Sequence, residues 1–170
     1  MKPKAVPHAL RTCIVAVAIA AVTACGSSTA RIAAGKPAPA WSDPIATGGE
    51  LHSASLRGKA VYLDFFATWC PPCNDEAPWV EALQQRYASR GLVVVGVDML
   101  ENRASALRFR AQHSLTYPVV VDSGTLEELY SINGLPVHVF ITRNGIVNQL
   151  IVGEMSKSEI DSAVQAIVTK

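Results

Sequence analysis

The sequence is poor in charged residues and in cysteine. Asp, Glu, Lys and Arg make up 17% of its 170 residues, and 15 basic residues nearly balance 14 acidic ones, for a formal charge of +1. This balance gives no electrostatic basis for nucleic-acid binding. Four cysteines are too few for a disulfide-dense scaffold. The apolar fraction of 49% argues against disorder, and a chain of this length suits a single domain.

An apolar run near the N-terminus, residues 12–22, is well short of the ~20 residues that a membrane-spanning helix needs. Lys2, Lys4 and Arg11 precede this run, and small residues follow it. A basic start, a short apolar run and a small-residue cleavage site are typical of a secretory signal. We therefore expect the mature protein to lie in the cell envelope, outside the cytoplasm.

The segment Val22-Thr23-Ala24-Cys25 resembles the lipobox of bacterial lipoproteins. The resemblance implies cleavage before Cys25 and lipid attachment to its sulfur, which would anchor the protein to a bacterial membrane. Residues 1–24 are then the signal peptide. The alternative is an ordinary secretory signal that happens to contain a cysteine.

The composition changes again further along the chain. Residues 26–40 are rich in Gly, Ser, Ala and Pro and show no core periodicity. We therefore expect residues 25–40 to form the lipidated cysteine and a flexible tether. From Trp41 onward, strand and helix patterns alternate, which predicts one folded domain over residues 41–170.

Within this domain, near-continuous apolar runs indicate buried strands, and apolar residues three or four apart indicate helices. Asn144-Gly145 predicts a hairpin, because both residues of that tight turn need positive φ. Ser156 and Glu159 have the spacing of a capping box. Together the patterns predict an α/β fold whose mixed sheet is covered by helices on both faces. The predicted strands cover residues 60–67, 92–97, 118–121, 137–142 and 146–152. The predicted helices cover residues 71–90, 103–113 and 125–130, and a last helix is predicted after Ser156.

Cys70 and Cys73 lie where the predicted strand of residues 60–67 ends and the predicted helix of residues 71–90 begins. If Cys13 leaves with the signal and Cys25 carries lipid, these are the remaining thiols, in a compartment where disulfides persist. Such a pair can close a small redox-active disulfide, and a helix N-terminus favours a thiolate at Cys70. Attack by one thiolate on a partner's disulfide gives a mixed disulfide, which the second thiol resolves.

Two other interpretations of the cysteine pair are weaker. A zinc site would need two further ligands, and the mature chain has no other free cysteine. Its histidines, His52, His113 and His138, are scattered singly. A purely structural disulfide is disfavoured because so short a loop removes little entropy from the unfolded chain. We therefore expect no metal site.

The chain resembles the thioredoxin superfamily, and within it the TlpA/ResA-like thiol–disulfide oxidoreductases. The resemblance runs from about Gly35 to the C-terminus and implies a thioredoxin-like fold and an enzyme without a cofactor. It rests on Gly58-Lys59, the segment FFATWCPPC at 65–73, Glu76-Ala77-Pro78, Tyr117-Pro118 and Gly134-Leu135-Pro136.

The resemblance also implies roles for individual residues. Cys70 matches the family's exposed nucleophile and Cys73 its buried resolving cysteine. Pro136 matches the cis-proline that faces the disulfide, and the backbone of Leu135 is expected to pair with the substrate. The implied substrate-binding set is Trp69, Pro71, Leu135 and Pro136.

Two carboxylates are candidates for proton transfer or for tuning the thiol pKa. Asp64 interrupts an apolar strand, where burial would raise its pKa, and it matches the buried aspartate of thioredoxins. Glu76 lies about one helical turn beyond Cys73 and matches an acidic residue that the family places near the thiols. Each could instead be a solvated carboxylate. His138 is interpreted as an ordinary strand residue with no part in proton transfer.

The resemblance favours a reductase that transfers electrons to disulfides of exported proteins, such as apocytochrome c or copper-site cysteines. Electrons would come from a membrane thiol transporter, and the anchored domain is expected to be a monomer. Two alternatives stay open. Two thiolates could bind Cu(I), although residues 69–76 contain no histidine or methionine. The protein could also form disulfides, although strong oxidants of the superfamily carry a histidine where this chain has Pro71-Pro72.

Overall fold

A computed structural model describes residues 32–170. The predicted signal peptide and the predicted lipidation site at Cys25 therefore lie outside the described residues. The strands are β1 (Ser42–Pro44), β2 (Glu50–His52), β3 (Ala60–Phe66), β4 (Leu92–Met99), β5 (Val119–Asp122), β6 (Val137–Ile141) and β7 (Val147–Val152). The α-helices are α1 (Pro71–Tyr87), α2 (Arg103–Gln112), α3 (Thr125–Tyr130) and α4 (Lys157–Val168).

Five of the strands form a mixed sheet in the order β5-β4-β3-β6-β7. Strands β3, β4 and β5 are parallel, whereas β6 runs antiparallel to both β3 and β7. All seven residues of the central strand β3 are buried. This burial explains its nearly continuous apolar sequence, since both faces of the strand are covered.

Alternate side chains of β3 enter two separate cores. Tyr62 and Phe66 belong to the core that contains the buried faces of α1, α2 and α4, together with Cys70 and Cys73. Leu63 and Phe65 belong to the core on the opposite face of the sheet, which α3 covers. The predicted mixed sheet with helices on both faces is confirmed. The capping box at the start of α4 is also present, with Ser156 accepting from the Glu159 amide.

The folded part begins earlier than the composition predicted. The Gly35 amide donates to the Val147 carbonyl at 2.8 Å, and the Val147 amide donates to the Lys36 carbonyl at 2.9 Å. Residues 35–38 thus lie along the hairpin that joins β6 and β7 instead of forming part of a free tether, because the edge strand β7 offers them backbone partners. Among the described residues, no helix has the length and apolar character needed to cross a membrane.

Candidate active site

The cysteine pair lies at the first turn of α1, directly after β3. Cys70 is the N-cap of the helix, and its sulfur accepts a hydrogen bond from the Cys73 amide at 3.4 Å. Cys70 and Cys73 form a disulfide with their Cα atoms 5.3 Å apart. Pro71 and Pro72 occupy the first helical positions, where a helix has no intrahelical partner for an amide.

The two cysteines are buried to the same degree, which corrects the expectation that Cys70 is exposed. Cys70 is 3% exposed and Cys73 4%. In the disulfide form both side chains pack into the core that α1 covers. The surface beside the disulfide is provided by Trp69, which is 71% exposed, and by the exposed Pro71.

The Leu135–Pro136 segment lies at the same edge of the sheet as the disulfide. Because β6 is antiparallel to β3, the start of β6 lies beside the end of β3, with Val137 opposite Phe65. The Leu135–Pro136 peptide bond is cis. Pro136 is buried, and the half-buried Leu135 packs against the core that contains both cysteines.

A glutamate that the sequence reasoning missed holds the loop between β3 and α1. The two carboxylate oxygens of Glu101 accept hydrogen bonds from the Thr68 amide and hydroxyl, each at 2.6 Å. From the other side, the Asn74 amide group donates to the carbonyl oxygens of Thr68 and Cys70. Glu101 follows β4 in the chain, and only the parallel pairing of β4 with β3 brings it to this loop.

Asp64 and Glu76 are both buried and face the same histidine. His138 lies opposite Asp64 in the β3–β6 pairing, and its Nδ1 is 3.8 Å from Asp64 Oδ1. On the other side of the ring, Nε2 is 3.5 Å from Glu76 Oε2 and 3.2 Å from the Gly153 carbonyl oxygen. The hydroxyl of Tyr62 lies 2.8 Å from His138 Nδ1 and 3.4 Å from Asp64 Oδ1. The structure thus brings His138, interpreted from the sequence as an ordinary strand residue, between the two carboxyls.

Burial dominates the electrostatics of this cluster. Desolvation, together with the nearby charge of Glu76, raises the pKa of Asp64 to about 7. Desolvation also raises the pKa of Glu76 to about 7, although the Met155 amide, which donates to it at 2.7 Å, works in the opposite direction. Desolvation lowers the pKa of His138 to about 4, so the ring is neutral near pH 7. The cluster can therefore hold and exchange protons in the neutral range.

Sequence patterns did contain a signal for this histidine. Asp64 and His138 each interrupt an apolar strand, and pairing those strands places them opposite each other. No sequence pattern pointed to Tyr62, because tyrosines are common in buried strands and the hydrogen-bond partner of the hydroxyl is known only from the structure. Among residues 32–170, no cluster of three or more His, Cys, Asp or Glu side chains is arranged to hold a metal ion.

Comparison with known proteins gives consistent matches over most of the chain. Residues 33–167 match the Redoxin family. The chain is 33% identical to the thiol-disulfide oxidoreductase ResA of Bacillus cereus, over 78% of each chain. It is 32% identical to ResA of Geobacillus kaustophilus, over 93% of this chain and 94% of that one. A solved thiol:disulfide interchange protein of the thioredoxin family from Chlorobium tepidum superposes with a TM-score of 0.73 at 34% identity, over 78% of this chain and 96% of that one.

The raised pKa of Asp64 predicts how stability changes with pH. The unfolded carboxyl loses its proton near its ordinary value of 3.8, whereas the folded one keeps it up to about 7. The folded state therefore binds more protons in this interval, and the free energy of unfolding falls as pH rises through it. We expect Asp64→Asn to remove at most about 4 kcal/mol of that fall, as measured by urea unfolding of the oxidised protein between pH 4 and 8.

Glu128→Gln is the matched control, because Glu128 is an exposed glutamate on α3, on the opposite face of the sheet, and stays in water in both states. Its curve should run parallel to that of the wild type. A curve for Asp64→Asn that is also parallel to the wild type would contradict the assignment of a buried, proton-holding carboxyl.

Proposed function

Because the chain belongs to the Redoxin family and is a TlpA/ResA-like thiol–disulfide oxidoreductase of the thioredoxin superfamily, we propose that it reduces disulfides of exported proteins from a lipid anchor on the cell envelope. Cys70 is the nucleophile and Cys73 the resolving thiol. The observation that carries this assignment is the Cys70–Cys73 disulfide at the N-terminus of α1, beside the Leu135–Pro136 segment.

The proposed reaction is a two-step thiol–disulfide exchange. The Cys70 thiolate attacks one sulfur of the substrate disulfide, and the other substrate sulfur leaves as a thiolate. The Cys73 thiolate then attacks Cys70 in the mixed disulfide, which releases the second substrate sulfur and closes the Cys70–Cys73 bond. Two electrons pass to the substrate, and a membrane thiol transporter returns them to the oxidised protein.

Two opposing electrostatic effects bear on the direction of electron flow. The Cys73 amide and the N-terminus of α1 stabilise a thiolate at Cys70. Against this, the residues between the cysteines are uncharged prolines, and the acidic Glu76 lies one turn beyond Cys73. A carboxylate there disfavours thiolates, which destabilises the dithiol and makes it a better reductant.

The surface beside the disulfide suits an extended substrate segment. Trp69 and Pro71 are exposed, so an apolar side chain of the substrate can pack on them. The pairing of β6 with β3 begins at Val137, which leaves the backbone of Leu135 beyond the last register pair. We propose that the substrate backbone pairs with Leu135 next to Pro136, in the manner of an added strand.

The proposed location rests on the sequence. The signal pattern of residues 1–24 and the lipobox ending in Cys25 support export and lipid anchoring. Residues 26–34 would then serve as the tether, because residues 35–38 already pair with the folded domain. Exported apoproteins whose cysteines must be reduced before they bind haem or copper are the proposed substrates.

The first test separates the roles of the two cysteines. We expect Cys70→Ser to lose reduction of insulin disulfides down to the uncatalysed background, because it removes the attacking sulfur. Cys73→Ser should accumulate mixed disulfides with envelope proteins, because nothing resolves them. Non-reducing electrophoresis and mass spectrometry of the trapped partners measure this. Trapping through Cys73 in the Cys70→Ser protein, with none in Cys73→Ser, would reverse the assignment.

The second test concerns the anchor. We expect the wild-type protein to incorporate labelled fatty acid, and Cys25→Ser to incorporate none and keep the mass of the uncleaved chain. Cys13→Ser is the matched control, because Cys13 leaves with the signal, and it should be labelled like the wild type. Fatty-acid labelling that survives Cys25→Ser would exclude Cys25 as the lipidation site.

A further inference from the structure

The core that contains the disulfide also contains a continuous path between two buried carboxyls. Tyr62 Oη is 3.4 Å from Asp64 Oδ1 and 2.8 Å from His138 Nδ1. At the far side of the ring, His138 Nε2 is 3.5 Å from Glu76 Oε2. We propose that Tyr62 and His138 act as a proton relay that connects Asp64 to Glu76.

The contacts determine where the protons lie at the start. The Gly153 carbonyl can only accept, and it lies 3.2 Å from His138 Nε2, so this nitrogen carries the hydrogen of the neutral ring. His138 Nδ1 is then an acceptor, and the Tyr62 hydroxyl donates to it. Because the single hydrogen of Tyr62 is used there, its oxygen accepts from Asp64 when that carboxyl is protonated; when Asp64 is ionised, the Tyr62 hydroxyl donates to Oδ1 instead.

The other end of the path has a free acceptor. Glu76 Oε1 accepts the Met155 amide at 2.7 Å. Glu76 Oε2 is buried and has no hydrogen-bond partner among residues 32–170. An unpaired buried carboxylate oxygen costs free energy, and the nearby His138 Nε2 is the group that can relieve it by passing on its proton.

The relay step conserves protons and charge. Asp64 passes its proton to the Tyr62 oxygen as Tyr62 passes its own to His138 Nδ1, and His138 Nε2 passes its proton to Glu76 Oε2. Asp64 ends as a carboxylate and Glu76 as a neutral acid. Tyr62 is again a phenol, and His138 has changed from its Nε2–H to its Nδ1–H tautomer. The net charge of the cluster is unchanged, because Asp64 gains the negative charge that Glu76 loses, and Tyr62 and His138 stay neutral.

The groups around the path raise the pKa of both end carboxyls, while the Gly153 carbonyl favours the starting Nε2–H tautomer of His138. Asp64 and Glu76 have pKa values raised to about 7, chiefly by desolvation. Asp75 on α1 and Glu154 after β7 add negative charge near Glu76, which raises its pKa further. From the loop before β5, Tyr117 also lies near Asp64, and burial keeps its hydroxyl protonated. A proton can therefore occupy either carboxyl at neutral pH.

The use of the relay rests on the proposed function. Before Cys73 can resolve the mixed disulfide, its thiol must lose a proton, and Asp64 is the proposed acceptor. Transfer through Tyr62 and His138 would move that proton to Glu76 and return Asp64 to the carboxylate. When the disulfide is reduced again, Cys73 takes the proton back along the same path, which restores the Nε2–H tautomer of His138 and an ionised Glu76. The relay would thus make a buried base available for each turnover.

Nitrogen NMR of the histidine ring tests the relay directly. The oxidised protein is purified in detergent with 15N-labelled histidine, and the His138 resonances are identified by their loss in His138→Gln. We expect the Nδ1 and Nε2 resonances of His138 to move toward each other near pH 7, as the two neutral tautomers exchange. In Tyr62→Phe, which removes one hydroxyl, both resonances should stay at the positions of the Nε2–H tautomer.

Tyr117→Phe is the matched control, because it removes another buried tyrosine hydroxyl near Asp64 that is not on the path. It should leave the tautomer exchange of the wild type intact. A wild-type His138 that stays in the Nε2–H form at every pH overturns the relay, and so does exchange that persists in Tyr62→Phe. The measurement uses no substrate, so its outcome does not depend on whether the protein reduces or forms disulfides.

The link to turnover needs a second measurement. We expect Tyr62→Phe to slow insulin reduction at least ~10-fold near pH 7, where an ionised Glu76 can still accept the proton that Asp64 must lose, and we expect Tyr117→Phe to leave the rate unchanged. Tautomer exchange in the wild type together with an unchanged pH profile in Tyr62→Phe would show a relay that does not serve Cys73, and would overturn this part of the proposal.

Discussion

The position of the disulfide depends on the complete burial of the central strand β3. The chain leaves the sheet at the end of this strand, and α1 begins five residues after Phe66. At the start of that helix, the Cys73 amide donates a hydrogen bond to the sulfur of Cys70. Because β6 runs antiparallel beside β3, Pro136 reaches the same edge. The redox pair and its neighbouring proline are thus consequences of the sheet topology.

The same burial controls the protonation of the site. A carboxyl on β3 that faces the α1 core can keep its charge only at a cost, so Asp64 holds a proton to about pH 7. Glu76 is subject to the same penalty from the helix side. Whenever either acid is ionised, its negative charge disfavours a thiolate nearby. The reducing character that we propose for the dithiol and the proton exchange that we propose beneath it therefore have one physical cause.

Sequence reasoning predicted the parts of this arrangement that local patterns encode. The buried strands, the CPPC helix start and the hairpin at Asn144-Gly145 are local, and the resemblance to the TlpA/ResA-like group supplied the oxidoreductase class, which the relatives confirm. It did not predict that Glu101 holds Thr68 or that His138 separates two acids, since both depend on strand pairing. It also misjudged the exposure of Cys70, because family roles describe a reacting thiol and the structure contains the disulfide.

The central claim is that this couple donates electrons, and its reduction potential tests that claim most directly. The purified protein would be equilibrated with dithiothreitol or glutathione mixtures, and the fluorescence of the exposed Trp69 beside Cys70 would report the fraction reduced. The account predicts a value near that of thioredoxin, about −270 mV. A value near about −120 mV, typical of a strong disulfide-forming oxidant, would contradict it.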